Sequence, residues 1–170
     1  MNEVLLANIL MIIGEGILFI ASSRKSKKQI LLFQIVSMVV MGVASYLLKG
    51  YGAIVMDVIG ITRNVLSINN IASRFLTYVF ISAAIVFGIL FNNHGLLGYL
   101  PIVANVSQSL VIISRKSTAR QVRLVCAFSS FCWGIYNFVI KGYAGVVTNL
   151  INCFSYLYHA FREKKEMLEN

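Results

Sequence analysis

Two carboxylates sit where the chain is otherwise apolar. Of the six acidic residues, only Glu15 and Asp57 fall inside long hydrophobic runs. A charge at the centre of a bilayer costs roughly 3 kcal/mol or more, so such residues line cavities, pair with partners or carry protons. Around them the polar residues recur at helical spacing. Asp57, Gly60 and Asn64 stand at i, i+3 and i+7, and Asn149, Asn152 and Tyr156 repeat that spacing. Ser130, Trp133 and Asn137 share a face, as do Gln34, Ser37 and Met41, then Asn105, Gln108 and Ser109, and Asn8 with Glu15. Residues three, four or seven apart lie on one side of a helix. These stripes are chemically fit to hydrogen-bond a polar solute or to bond one helix to another; the serines and Gln34 favour the second role.

No arrangement here points to catalysis or to metal binding. The chain lacks H-E-x-x-H, G-x-S-x-G and a nucleotide-binding glycine loop, so no enzyme is expected. Cys126, Cys132 and Cys153 lie in apolar runs without paired ligand spacing, and His94 and His159 have no metal-ligating neighbours. Neither metal nor cofactor is expected, and the cysteines read as small core residues.

The elements that must position the stripes follow from composition. Of 170 residues, 58% are hydrophobic and 12% charged, with one proline, against about 25% charged in ordinary soluble domains. The charges cluster between apolar runs long enough for membrane crossing. The expected class is therefore an all-α integral membrane protein with seven transmembrane helices, at 4–22, 29–48, 51–68, 75–91, 96–113, 121–140 and 143–161. Continuous apolar runs of this length exclude a barrel, whose strands alternate over about ten residues. A pI near 9.7 suggests nucleic acid only when a solvated basic face exists, and there is too little polar sequence to supply one. The expected partners are the lipid bilayer and a small polar solute, with a homo-oligomer left open.

Twelve of the fifteen basic residues follow helices 1, 3, 5 and 7, among them Arg24, Lys25, Lys27, Lys28, Arg74, Arg115, Lys116 and Arg162. Lysine- and arginine-rich loops stay cytoplasmic, which predicts an outer amino terminus and a cytoplasmic carboxyl terminus. The start, Met1-Asn2-Glu3, is acidic before the first apolar run, unlike a cleaved signal peptide. Arg63, inside helix 3, is expected to snorkel to the inner membrane face as an anchor.

The sequence also repeats. SRKS occurs at 23–26 and 114–117, and KGY at 49–51 and 141–143. Between and beyond them, Gln29 matches Gln121, Ser37 matches Ser129, Gly42 matches Gly134, and Asp57 stands opposite Asn149. One period holds four crossings, so the halves are expected to run parallel about a pseudo-twofold axis along the membrane normal. The predicted organisation is 3+1+3: a first bundle over 1–68, a linker helix within 69–95, a second bundle over 96–162 and a cytoplasmic tail at 163–170. Helix 4 carries only Thr77, Tyr78 and Ser82 as polar residues within its apolar run, as a lipid-facing linker should. Asp57 and Asn149 are expected at equal depth, facing each other.

This arrangement resembles the SWEET and PQ-loop transporter superfamily, and within it the bacterial inner-membrane YgjV-like family. The segments that carry the resemblance are KKQILLFQ, GAIVMDVIGITRNVL, GYLPIVANVSQS and CWGIYNFVIKGYAG. The resemblance implies a multi-pass protein of the inner membrane that moves a small polar solute, such as a sugar, by alternating access. It places solute contacts at Asp57 and Asn149 and an aromatic wall at Trp133, whose repeat mate is Met41. Asn152, Asn137 and Asn64 complete the expected binding set. Of the two prolines such proteins carry in the first helix of each repeat, only Pro101 is present; helix 1 has Gly14 and Gly16 flanking Glu15. Glu15 and Pro101 are therefore the expected gating or proton-coupling positions. The alternative is a receptor or accessory subunit on the same fold, since fold does not dictate function.

Overall fold

The computed structural model describes residues 3–71, 73–114 and 116–169. Arg115, the side chains of Lys164 and Lys165, and Asn170, on which part of the charge pattern and the tail rest, lie outside the described residues, as do Met1 and Asn2. The described chain is helical throughout: α1 Glu3–Ser22, α2 Lys27–Leu47, α3 Tyr51–Ile68, α4 Arg74–Leu90, α5 Leu100–Ile112, α6 Ala119–Val139 and α7 Tyr143–Glu169. A 3-10 turn, Gly95–Tyr99, leads into α5.

Among the described residues, five stretches are long and apolar enough to cross a membrane: α1, α2, α3, Gly95–Ile112 and α6. The α4 helix is apolar but shorter, at 17 residues. The α7 helix runs unbroken to Glu169, so it extends beyond the expected apolar span of 143–161. Its first apolar turns carry the Asn149 stripe, and no proline or glycine follows to stop it.

Burial is inverted relative to a water-soluble protein. Phe75, Leu90, Leu96 and Phe154 are exposed, whereas Arg63, Asn64, Asn149 and Asn152 are buried. Apolar side chains outside and polar ones inside suit a hydrocarbon solvent, because only there does the exterior gain nothing by being wet.

The helices close into a ring. Each packs on the next in the order α1, α2, α3, α5, α6, α7, and α7 returns to α1. The α4 helix lies outside, against α3 and α5. It approaches α5 closely because residue 88 is glycine: a Cβ there would collide with the Ile102 side chain.

The repeated sequences fold alike at both ends. Ser26 Oγ accepts from Gln29 N at 3.3 Å, and Thr118 Oγ1 accepts from Gln121 N at 3.2 Å. The matching caps are thus Ser26 and Thr118, so the repeat offset becomes 92 at the helix start even though SRKS recurs 91 residues on. At the other end, Lys49 and Lys141 both adopt positive φ, 57° and 63°. The next residues, Gly50 and Gly142, each donate N–H at 2.8 Å to a carbonyl in the preceding helix, of Ser45 and Asn137 respectively. Such left-handed closures satisfy carbonyls that a helix end leaves open.

Candidate functional site

The inner stripes of the ring enclose a narrow cavity of about 60 Å³. That is room for a few waters or a very small solute, and it lies below the roughly 300–1,000 Å³ of drug-sized sites. Polar walls come from Glu15 on α1, Gln34 and Ser45 on α2, Asp57 on α3, Gln108 on α5, Ser129, Ser130 and Asn137 on α6, and Asn149 and Tyr156 on α7. Met38, Met41, Leu18 and Trp133 supply the apolar remainder.

Of the positions singled out by sequence, Asp57, Asn149, Trp133, Asn137 and Glu15 line this space. Asp57 and Asn149 are each the seventh residue of their helix, and each stands beside a glycine of the preceding helix. A Cβ on Gly42 would lie 3.8 Å from Asp57 Oδ2, and one on Gly134 would lie 3.5 Å from Asn149 Cβ. Their surroundings nevertheless differ. Asn149 Nδ2 donates to Glu15 Oε1 and to the Gly145 carbonyl. Asn152 Nδ2 donates to the other Glu15 oxygen at 2.6 Å and to the Glu15 carbonyl at 3.0 Å. Both oxygens of the Glu15 carboxylate are thus engaged, and α7 is fastened to α1. Among the described residues, no hydrogen bond reaches the Asp57 carboxylate, which is 8% exposed.

Asn64 and Pro101 lie away from the cavity. Asn64 is buried, donating to Gln34 Oε1 at 3.1 Å and accepting from Arg63 Nε at 3.2 Å. Pro101 occupies the first turn of α5, where its fixed φ and absent N–H suit helix initiation.

Arg63 corrects an expectation. It does not snorkel: its side chain is fully buried. Nη2 donates to Gln108 Oε1 at 2.6 Å, and Nη1 donates to Asn105 Oδ1 at 3.1 Å and to the Asn105 carbonyl at 3.3 Å. The guanidinium therefore joins α3 to α5 through neutral acceptors. Its partners lie on another helix, beyond the reach of spacing within α3. Tyr156 was recognised in its stripe but not as a cavity wall, although its seven-residue offset from Asn149 carried that signal. Gln34 Nε2 reaches Cys126 Sγ at 2.9 Å, and these residues stand 92 apart, one repeat period.

At the end of the bundle where α1 stops, Arg123 donates to the Ser22 carbonyl at 3.0 Å and the Arg24 carbonyl at 2.6 Å, and pairs with Glu163. It closes the end of α1 against α6 and α7.

Comparison with known proteins is decisive at one level. The model of the Imp-YgjV family, described as bacterial inner membrane protein, matches residues 5–167. The chain belongs to that family. No curated protein and no solved structure matches it. As an Imp-YgjV member with five long apolar helices and an inverted exterior, it is a membrane protein.

Proposed function

We propose that this Imp-YgjV protein carries a small polar solute across the bacterial inner membrane by alternating access. The observation that carries the reading is the cavity: carboxylates, amides and hydroxyls converge inside a bundle whose outside is apolar. Glue between helices needs paired polar groups. Here Asn137 Nδ2 is buried without a partner among the described residues, and the residue lines the cavity.

On this reading all seven helices span the bilayer, with the amino terminus outside and the carboxyl terminus cytoplasmic. The halves 1–68 and 96–162 form the moving bundles in a 3+1+3 SWEET-like arrangement, with α4 as linker. Matching caps, matching left-handed closures and the closed ring support that division. The moving seams are α1 on α7 and α3 on α5. Glu15 with two asparagines fastens the first, and Arg63 with α5 amides fastens the second.

The test begins with a thermal-shift screen of purified protein against sugars, sugar acids, amines, nucleosides and vitamins, since a ligand of the native state raises stability by mass action. Uptake of any stabilising compound into proteoliposomes follows. Uptake above empty liposomes is expected, falling at least tenfold in Asp57→Ala and Asn149→Ala. Binding without flux would favour a receptor instead.

A further inference from the structure

The charges of the core do not balance. Among the described residues, the ionised-type side chains more than nine-tenths buried are Glu15, Asp57, Arg63 and Arg123. Arg123 is paired with Glu163 at the end of the bundle where α1 stops. That leaves two carboxylates and one guanidinium. The guanidinium lies outside the cavity wall, its fork spent on Asn105, Gln108, Asn64 and Ser109. The wall itself holds both carboxylates and no lysine, arginine or histidine.

The two carboxylates are not alike. Glu15 is saturated by the amides of Asn149 and Asn152. Asp57 has no hydrogen-bond partner among the described residues and lines the same cavity as Asn137, whose buried Nδ2 is unpartnered. The Trp133 ring lines that space too, held edge-on to Tyr136 with centroids 5.7 Å apart. An unpaired buried carboxylate in a cavity that an indole also lines is suited to a cation, which gains both the ion pair and the ring's negative face. Trp133 has Met41 as its repeat mate, so a flat sugar ring would be stacked on one side only.

We propose that the solute is a small organic cation, an amine or amino alcohol. Its ammonium pairs with Asp57, its carbon chain lies against Trp133, and its hydroxyl reaches toward Asn137. The proposal deepens the transport reading and rests on the same cavity.

Three probes of one size separate the possibilities: 3-amino-1-propanol, 1,3-propanediol and 3-hydroxypropionate. Melting is followed at neutral pH and fixed ionic strength for wild type, Asp57→Asn, Asp57→Glu and Trp133→Leu. Only the amino alcohol should raise the wild-type melting temperature at millimolar concentration. Asp57→Asn should abolish that response while melting no lower than wild type without ligand, because an uncompensated buried charge has been removed. Asp57→Glu should keep the response, and Trp133→Leu should weaken binding about tenfold, as loss of a desolvated cation–π contact does. An equal or larger shift with the diol would show that a proton, not the solute, neutralises Asp57, and would overturn the proposal. So would no shift with the amine, or a shift that survives Asp57→Asn. Labelled 3-amino-1-propanol in proteoliposomes separates this inference from the transport reading. Binding without uptake leaves the cation site standing and removes the carrier. Uptake of a neutral solute through an Asp57-dependent route does the reverse.

Discussion

Glu15 holds two asparagine amides of α7, and each amide is buried. Leaving a buried donor unpaired costs about 1–3 kcal/mol. Glu15→Ala removes one acceptor from each while leaving Asn149 on the Gly145 carbonyl and Asn152 on the main-chain carbonyl of residue 15, so it should destabilise the protein by about 1–3 kcal/mol. Glu15→Gln keeps one acceptor oxygen and should lose markedly less. Detergent melting curves of the two variants decide this, and equal losses would mean the amides find other partners. Arg63 offers a second comparison. Its planar fork reaches side chains of α5 at Asn105 and Gln108, and of its own helix at Asn64. A lysine ammonium cannot span those acceptors. Arg63→Lys should therefore lower stability by about 1–3 kcal/mol, although charge is conserved. The sequence made the acids conspicuous because nothing else in the apolar runs is charged negatively. It made Arg63 conspicuous too, but not its role, because the partners of a buried guanidinium are set by which helix packs on which.

At the level of the helices, much was legible. Helix count and the span of α3 follow from apolar run length; the other boundaries moved by at most four residues, except the end of α7, which runs on from 161 to Glu169. Lys27 and Lys28 join α2 because Ser26 caps it, a start signal that the surrounding positive charge obscured. The first part of the fifth apolar run is a 3-10 turn, with Pro101 opening the α-helix behind it. What spacing could not give was the ring order, which depends on contacts between helices distant in sequence. Two element-scale expectations follow. Lys49 and Lys141 sit in left-handed backbone, a region costing roughly 1–2 kcal/mol for residues with a Cβ. Lys141→Gly should raise the melting temperature by an amount equivalent to about 1 kcal/mol. A fall would show that the lysine side chain contributes more than its backbone costs. Gly88 lets α4 lie against α5, so Gly88→Leu should separate them and destabilise the fold by about 1–3 kcal/mol, as overpacking does. The same melting assay reads both.

The whole molecule is a ring whose two non-consecutive seams, α1 on α7 and α3 on α5, are each fastened by one buried charge of opposite sign. On the proposed carrier reading, rocking of the halves opens these seams in turn. Ser22 Oγ and Ser155 Oγ lie 2.6 Å apart across the first seam, near enough for their cysteine replacements to cross-link. With Cys126, Cys132 and Cys153 changed to alanine, Ser22→Cys with Ser155→Cys should lose at least tenfold in proteoliposome uptake on oxidation and recover on reduction. Undiminished uptake after complete cross-linking would exclude motion along that seam. The duplication was legible because its markers are polar loop residues, which stand out against apolar helices. The asymmetry between Asp57 and Asn149 was legible as a difference of residue type. Its consequence, one carboxylate saturated and one free, needed the reach of Glu15 from α1.

The contact between Gln34 and Cys126 has a bearing on ancestry. Two positions one period apart that touch each other must lie at the dyad. In a dimer of identical half-length chains, such a position meets its own copy. Two glutamines there can pair amide to amide and two cysteines can oxidise together, but a glutamine cannot face a cysteine. In a single chain that self-matching rule lapses, and each half is free to differ. The glutamine–cysteine contact is thus one that a dimer of identical half-length chains cannot carry, and the unlike pair Asp57 and Asn149 belongs to the same freedom.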